Sequence, residues 1–216
     1  MRLSAACLRL LTLIVLTTAA PLAAVAQSTA TVDETIARMA ADPRTPDAYS
    51  ADVKLHVKMR VFPFISITLH GNTSYKRPGL YHFVFRGVPK VAEKFDDLRY
   101  DLGNPLAWHD RYDIAYAPSS TPESPVLRLT PKFPGGMVAH LDVTTDALSG
   151  RLLKAVWARH DGGNITLVQT YAAVGGTDIV SHQTASIDIP HMRAELTADY
   201  AGFTVETTTV AGYSNQ

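Results

Sequence analysis

Strict alternation of apolar and polar residues starts at residue 51 and returns through most of the chain. In Ala51–Val61 every second side chain is apolar, and the central members of this set are Val53, Leu55, Val57 and Met59. A repeat of two places such side chains on one face of a β-strand. Residues 65–75 and 80–88 repeat the alternation after short turns. The pattern predicts a three-stranded antiparallel meander.

Turn-forming residues divide the second half of the chain into further alternating segments. Asp161-Gly162-Gly163-Asn164 is typical of a hairpin turn, and Gly175-Gly176 marks another. We predict strands at residues 112–117, 126–130, 137–144, 151–160, 165–174, 179–189 and 192–205. Together with the first three, these segments make a sheet of about ten strands.

Helical spacing is clear only before the first strand. The apolar stripe of this N-terminal helix consists of Ile36, Met39 and Ala40. Thr31 or Asp33 can cap the helix, because a short polar side chain there accepts a hydrogen bond from a free backbone N–H. Pro43 and Pro46 end it.

The middle of the chain is less regular. Val91–Leu98 fits one or two helical turns with apolar residues on one side, and Asn104-Pro105 breaks the pattern. Pro118–Pro125 is rich in serine and proline, which indicates an exposed loop.

The predicted sheet is too wide for its helices to cover. Ten strands spaced ~4.8 Å apart span roughly 48 Å, whereas a helix is only ~10–12 Å in diameter. The sheet must therefore curl around its own apolar face as a half-barrel, a barrel or a sandwich.

The first 26 residues are typical of a cleavable secretory signal. Arg2 and Arg9 accompany the apolar run Leu10–Ala20, and Ala24-Val25-Ala26 fits signal peptidase. The run is shorter than the ~20 apolar residues of a membrane span, although an uncleaved anchor is the alternative. We expect cleavage near Ala26 and a single domain, residues 27–216, in the periplasm or outside the cell.

Charge and cysteine content narrow the possible partners. The mature chain would carry 18 basic and 20 acidic side chains, so nothing favours nucleic acid or an anionic lipid surface. The single cysteine, Cys7, precedes the apolar run, which does not fit a lipoprotein signal. Without it the domain has no disulfide and depends on its apolar core. No second apolar span follows, so the mature protein is predicted not to span a membrane.

The segment Gly71–Phe83, with Lys76-Arg77-Pro78-Gly79 before an aromatic strand, resembles a hallmark of the LolA-like superfamily of periplasmic lipoprotein carriers. Leu153–Gly176, which ends in Tyr171-x-x-Val174-Gly175-Gly176, is similar to the second half of such sorting proteins. The resemblance covers residues 31–205. Family members usually have a strand, a glycine turn and an aromatic strand where this chain has Val91–Tyr112. That departure concerns the mouth and lid of any cavity.

The resemblance implies an unclosed half-barrel, covered by the N-terminal helix and one or two short helices, whose apolar concave face holds acyl chains. Alternation along the strands supplies candidates for this face: Val57, Met59, Ile67, Leu69, Phe83, Phe85, Leu141, Trp157, Leu167 and Tyr171. The alternative is an ordinary filled core, because the same residue types serve both purposes.

A group of basic side chains could bind an acidic partner, such as an envelope protein that donates or accepts the cargo. The group consists of Lys54, Lys58, Arg60, Lys76 and Arg77. The alternative is a solvated polar face with no binding role.

Catalytic and cofactor motifs are not found. The chain has no Gly-x-Ser-x-Gly elbow, and its histidines lack metal-binding spacing. His56, His140 and His182 fall on polar faces, while His109 and His160 each precede an aspartate. We therefore expect no enzyme activity, no metal and no cofactor. The leading hypothesis is a carrier or sensor that binds a lipid or lipoprotein acyl chain. A protein-interaction module with a filled core is the second hypothesis, and an exported hydrolase is the third.

Overall fold

The computed structural model describes residues 30–62, 64–90, 97–101, 103–133 and 135–206, with only the backbone described in 97–101. The predicted signal, residues 1–26, lies outside them. The elements are α1 Val32–Ala41, β1 Ala48–Met59, β2 Ser66–Lys76, β3 Leu80–Arg86, β4 Asp97–Asp101, a 3₁₀ turn Pro105–Ala107, α2 Trp108–Arg111, β5 Tyr112–Tyr116, β6 Val126–Pro131, β7 Val138–Thr145, β8 Leu152–Arg159, β9 Asn164–Val174, β10 Thr177–Ile189 and β11 Met192–Val205.

The described strands form one antiparallel sheet of eleven strands in the order β4-β3-β2-β1-β11-β10-β9-β8-β7-β6-β5. The predicted meander of β1, β2 and β3 is confirmed by their pairing. Strand β4 pairs with β3, each strand from β5 to β10 pairs with the next along the chain, and β11 returns to pair with β1. The predicted mainly-β fold with an unclosed antiparallel sheet is therefore confirmed.

The connection between the two edge strands shows that the sheet curls. Eleven strands make ten spacings of ~4.8 Å, so the edges are about 48 Å apart along the sheet. The chain passes from β4 to β5 through the 3₁₀ turn and α2. Helical residues rise only ~1.5–2 Å each, so this connection spans no more than about 28 Å. The edges must therefore approach each other around a concave interior.

Gly71 marks a tight approach within this curved sheet. A Cβ at this position would lie 2.1 Å from the carbonyl oxygen of Val84 on β3. Only glycine therefore allows β2 and β3 to come this close, which is the usual meaning of a glycine inside a strand.

Helix α1 begins with a capping box and lies over one side of the interior. Thr31 accepts a hydrogen bond from the Glu34 N–H, and the Glu34 side chain accepts one from the Thr31 N–H. Ile36 is buried beneath the helix. Gly150, in the loop before β8, packs closely against this helix, since a Cβ there would lie 2.7 Å from the backbone of Arg38. The predicted N-terminal helix is confirmed.

The middle of the chain differs from the prediction. Residues 97–98 belong to strand β4, so the predicted helical turns at Val91–Leu98 are wrong at that end, while 91–96 lie outside the described residues. The covering helix lies further along, at residues 105–111. Asn104, which we interpreted as a breaker, caps it by accepting a hydrogen bond from the Leu106 N–H at 3.1 Å. Pro105 occupies the first helical position, where it needs no N–H partner.

The interior contains two groups of buried side chains. The aromatic cluster lies on β1, β2, β3, β10 and β11 and includes Tyr49, Val53, Leu55, Tyr75, Tyr81, Phe85 and Tyr200. The helix-covered cluster lies beneath α1 and α2 on β6, β7 and β8 and includes Ile36, Trp108, Leu127, Leu129, Leu141, Val143 and Ala155. A register shift between β7 and β8 at residues 144–145 places Leu152 inside, where simple alternation predicts Leu153.

Candidate ligand-binding cavity

A cavity of about 520 Å³ lies between the two clusters on the concave face of the sheet. Of the fourteen described residues that line it, eleven are apolar. Its volume falls in the range of ~300–1,000 Å³ that is usual for small-molecule sites. The helices cover other parts of the concave face, and no residue of α1 or α2 contributes to this wall.

Four of the ten side chains predicted to face a ligand line this cavity. They are Phe83 and Phe85 on β3, Trp157 on β8 and Leu167 on β9. The rings of Phe83 and Phe85 stack with their centroids 6.3 Å apart, and the ring centroids of Phe83 and Tyr200 are 6.4 Å apart. These three rings of the wall therefore come from β3 and β11, which are not neighbours in the sheet.

The other six predicted side chains lie elsewhere. Val57 and Leu69 are buried in the aromatic cluster, and Ile67 packs against it. Leu141 belongs to the helix-covered cluster. Tyr171 packs against the aromatic cluster and lines a second, smaller cavity, while Met59 is half-buried at the end of β1. These residues share the inner face, but the wall of the large cavity does not include them.

Sequence reasoning missed ten residues of the wall. Seven are apolar: Val53, Leu55, Val138, Ile165, Ala185, Leu196 and Ala198. Six of them follow the alternation of their strands, so the sequence contained a signal for the inner face but none for the empty space beside it. Val138 has the opposite parity to Leu141, and a register shift between residues 138 and 140 brings it to the wall. The three polar members are Arg159, Gln183 and Tyr200.

The polar groups of the wall are partly engaged with other residues. Arg159 donates two hydrogen bonds to the carboxylate of Asp161, at 2.8 and 2.6 Å. These bonds hold the pKa of Asp161 below its ordinary value, so its negative charge balances the guanidinium. The Tyr200 hydroxyl donates to the side-chain oxygen of Gln183. Burial raises the pKa of Tyr200 because its phenolate would lose water contact.

The smaller cavity, about 80 Å³, lies beneath the ends of α1 and the 3₁₀ turn and is more polar. Tyr49 and Tyr75 stack beside it with ring centroids 5.0 Å apart. Burial raises the pKa of Tyr75 to about 12. Asp178 faces this cavity and pairs with Arg151 at 2.5 Å and with Arg44 at 2.8 Å. The ion pairs join β10 to two loops at this end of the sheet.

Exposed apolar side chains also lie at the opposite end of the strands, where β1, β6, β8 and β10 all finish. There the Arg60 N–H donates to the Arg193 carbonyl, and the His160 N–H donates to the Met137 carbonyl. The exposed side chains, which we call the apolar rim, are Phe62, Phe64, Phe133 and Met137. Val138 and Ile165, which line the large cavity, begin the neighbouring strands. The apolar rim therefore lies at the cavity's end of the sheet.

The five basic side chains predicted to bind a partner have different environments. Arg77 donates to the carbonyls of Ala40, Asp42 and Thr45, so it anchors the end of α1. Arg60 forms an ion pair with Glu195 on β11. Lys54, Lys58 and Lys76 are exposed and form no ion pair with a described residue. Arg77 is therefore used within the fold, whereas these three lysines remain exposed.

The histidines make surface contacts. His109 lies 3.0 Å from Asp33 on α1, and His182 lies 2.6 Å from Asp199. His56 contacts Thr68 at 3.1 Å, and His140 lies 3.8 Å from Asp142. Within the described part of the chain, no group of three or more histidine, cysteine, aspartate or glutamate side chains is arranged to hold a metal ion. None of the helices described is both long enough and apolar enough to cross a membrane.

A curled, unclosed antiparallel sheet with an apolar concave cavity and a capped N-terminal helix defines the LolA-like fold class. A LolA superfamily protein from Nitrosomonas europaea matches with a TM-score of 0.51 and 10% identity, over 82% of this chain and 94% of the other. A domain from Vibrio parahaemolyticus, described as an outer membrane lipoprotein-sorting protein, matches with a TM-score of 0.54 and 10% identity, over 82% and 91%.

A DUF1329 family protein from Desulfovibrio piger is similar to the same extent, with a TM-score of 0.53 and 11% identity over 81% of this chain and 91% of the other. The resemblance predicted from residues 71–83 is confirmed at the level of the fold. No family model and no curated protein matches the sequence.

Proposed function

We propose that this protein binds a lipid or a lipoprotein acyl chain in the large cavity, as a carrier or sensor in the cell envelope. The observation that carries the proposal is the 520 Å³ cavity with eleven apolar residues in a wall of fourteen. The signal sequence predicted at residues 1–26 supports a location outside the cytoplasm. The proposal involves no covalent step.

An apolar chain has sufficient reason to enter such a cavity. Each methylene removed from water contributes ~0.8 kcal/mol, so a chain that buries ten of them gains about 8 kcal/mol before the costs of association. No ion pair is needed for this gain. Arg159, the one charged side chain among the described residues of the wall, is already balanced by Asp161.

The structural similarity to the solved structures named above agrees with the same class of function. One of the similar structures is described as a lipoprotein-sorting protein domain, and another as a LolA superfamily protein. Those descriptions belong to those proteins, and the low identity transfers only the fold. The cavity of this chain is therefore the main support, and the likeness agrees with it.

Native mass spectrometry of the purified mature protein tests the proposal. We expect adducts of lipid mass that persist through purification, or stoichiometric uptake of a fluorescent fatty acid by the delipidated protein. A protein that is free of ligand and takes up no such probe would contradict the carrier function.

Two adjacent residues of β9 provide a matched pair of variants. Leu167 lines the cavity, whereas Val168 points to the opposite, solvent-exposed face. Leu167→Gln should weaken probe binding about tenfold or more, because it places an amide in the apolar wall. Val168→Gln should leave binding unchanged. Equal effects of the two substitutions would show that the probe does not bind in this cavity.

The apolar rim favours a second candidate, a protein-interaction module. Phe62 and Phe64 are 85% and 77% exposed, and apolar side chains exposed in a group often mark a contact surface. In that function the protein takes up no probe. A photo-crosslinker at position 62 would instead give a discrete protein adduct in cells, and Phe64→Ser would abolish that adduct.

A further inference from the structure

Two glutamines face the interior side by side on neighbouring strands. Gln169 on β9 and Gln183 on β10 are register partners and are 5% and 8% exposed. A carboxamide buried among apolar side chains loses its hydrogen bonds to water and needs replacement partners. Gln183 lines the large apolar cavity, whereas Gln169 lines the small polar one. The pair therefore lies where the two cavities approach each other.

The Gln183 side chain and the Tyr200 hydroxyl together leave one hydrogen-bond donor without an acceptor among the described residues. The Tyr200 hydroxyl donates to the Gln183 side-chain oxygen, and among the described residues the amide nitrogen has no acceptor. With the amide turned over, its nitrogen would donate to the Tyr200 oxygen and the hydroxyl hydrogen would lose its acceptor instead. In both orientations a donor faces the cavity without an acceptor, since both residues line its wall.

The electrostatics of this part of the wall disfavour an anion. Among the described residues of the wall, Arg159 alone is charged, and its two hydrogen bonds to Asp161 balance its charge. Burial raises the pKa of Tyr200, because a negative charge on its own phenol would lose contact with water. A carboxylate buried beside it would lose water in the same way. A carboxylate placed near Gln183 would therefore have donors but no unbalanced cation.

We propose that Gln183 and Tyr200 select an uncharged apolar ligand that carries a hydrogen-bond acceptor, such as an esterified or amide-linked acyl chain. A carbonyl oxygen fills the free donor position, and the chain fills the apolar wall. A pure hydrocarbon leaves the donor unsatisfied, and a free fatty acid brings an uncompensated charge. The inference rests on the proposed function, because it assigns the ligand class of the same cavity.

The ranking of three ligands of matched length tests the inference without any substitution. The ligands are methyl dodecanoate, dodecanoate at pH 8 and tridecane, each competing with a fluorescent probe for the delipidated mature protein. We expect the ester to bind roughly tenfold more tightly than the hydrocarbon, which is the usual consequence of leaving one buried donor unpaired. We also expect the ester to bind more tightly than the carboxylate.

The combination Gln183→Leu and Tyr200→Phe removes both donors and should abolish the preference for the ester by improving the affinity for tridecane. Gln169→Leu is the control, because this neighbour lines the other cavity and should leave the preference unchanged. Equal binding of ester and hydrocarbon by the wild type, stronger binding of dodecanoate, or an ester preference that survives the double substitution would each overturn the inference. Failure of the wild type to bind any of the three would instead overturn the proposed function.

Discussion

The two sides of the concave interior are built from similar residues, but one side is filled by side chains and the other contains a cavity. Beneath α1 and α2, Trp108 and Ile36 project from the helices into the sheet, and Leu127, Leu129 and Val143 are fully buried there. On the other side, Phe83, Phe85 and Leu196 line the large cavity. Both sides follow the same alternation. The difference is that, within the described part of the chain, large side chains from a covering helix enter only one side.

The two tryptophans of the chain report on this difference. Trp108 is 1% exposed within the helix-covered cluster, whereas Trp157 is half-buried and lines the cavity. One side chain is surrounded on all sides by protein, and the other has open space beside it. Changes at these two positions therefore separate the contribution of a filled core from that of a binding wall.

The largest effect is expected from Trp108→Ala. Removing a fully buried tryptophan should lower the free energy of unfolding by about 3–5 kcal/mol, because the helices cannot fill the space. Trp157→Ala should cost less than half as much, and it should weaken binding of an apolar probe in the folded protein. Urea unfolding and probe titration measure the two effects.

The comparison of the two tryptophans fails if both substitutions cost the same stability. It also fails if probe affinity is unchanged in the folded Trp157→Ala protein, because the cavity would then not be the binding site. Intrinsic fluorescence provides an independent check, since an apolar ligand should change the emission of Trp157 and leave that of Trp108 unaltered.

An intermediate effect is expected where the covering helix is anchored. The Arg77 guanidinium donates to the Asp42 carbonyl at 2.9 Å, to the Ala40 carbonyl at 3.3 Å and to the Thr45 carbonyl. Arg77→Gln should lower the free energy of unfolding by about 2 kcal/mol, because partly buried carbonyls lose their donors. Hydrogen exchange should accelerate in α1 and leave β9 and β10 protected.

Lys76→Gln is the control for that experiment, because Lys76 is exposed and forms no ion pair with a described residue. Its cost should stay below about 0.5 kcal/mol. If Arg77→Gln leaves α1 protected and stability unchanged, the arginine does not anchor the filled side, and its assignment to a partner-binding surface regains support.

The filled side was also the part of the fold that alternation predicted less well. Strands such as β1 show one uninterrupted repeat, so the face and the meander followed directly. The helix at residues 105–111 was missed because Asn104-Pro105 was interpreted as an end, although the same two residues suit the start of a helix. Alternation with Ala155 and Trp157 predicts that Leu153 faces the interior, whereas Leu152 does. The cause is a register shift between β7 and β8, which the alternating sequence pattern does not reveal.

The sequence predicted which side chains face the interior, but not which of them border the cavity. Phe83, Trp157 and Leu167 have the correct parity, but so does Leu141, which the helices cover. Whether an inner side chain meets protein or open space depends on residues distant in sequence. Gln183 shares its parity with Ala185, so its inward direction could have been recognised. Its unpaired donor could not, because that follows from the position of Tyr200 on another strand.

The smallest effect is expected from a change behind the filled side, on the outer face of the sheet. Arg128 on β6 donates two hydrogen bonds of 2.8 Å to the carboxylate of Asp142 on β7. These bonds hold the pKa of Asp142 below its ordinary value, and the nearby His140 adds to the effect. Asp142→Asn should lower the free energy of unfolding by about 0.5–1 kcal/mol at pH 7, because the pair is partly exposed.

The pH dependence of that loss follows from the sign of the pKa shift. A carboxyl whose pKa is lower in the folded state stabilises the fold above its unfolded-state pKa of ~3.9 and loses that contribution as the pH falls through the folded-state value. The stability difference between wild type and Asp142→Asn should therefore be constant from pH 7 to about pH 5 and shrink toward pH 3. Urea unfolding across this range measures it. Asp142 lies on the outer face of the sheet, so probe affinity should not change in this variant. A change in affinity would mean that the outer face and the cavity are coupled.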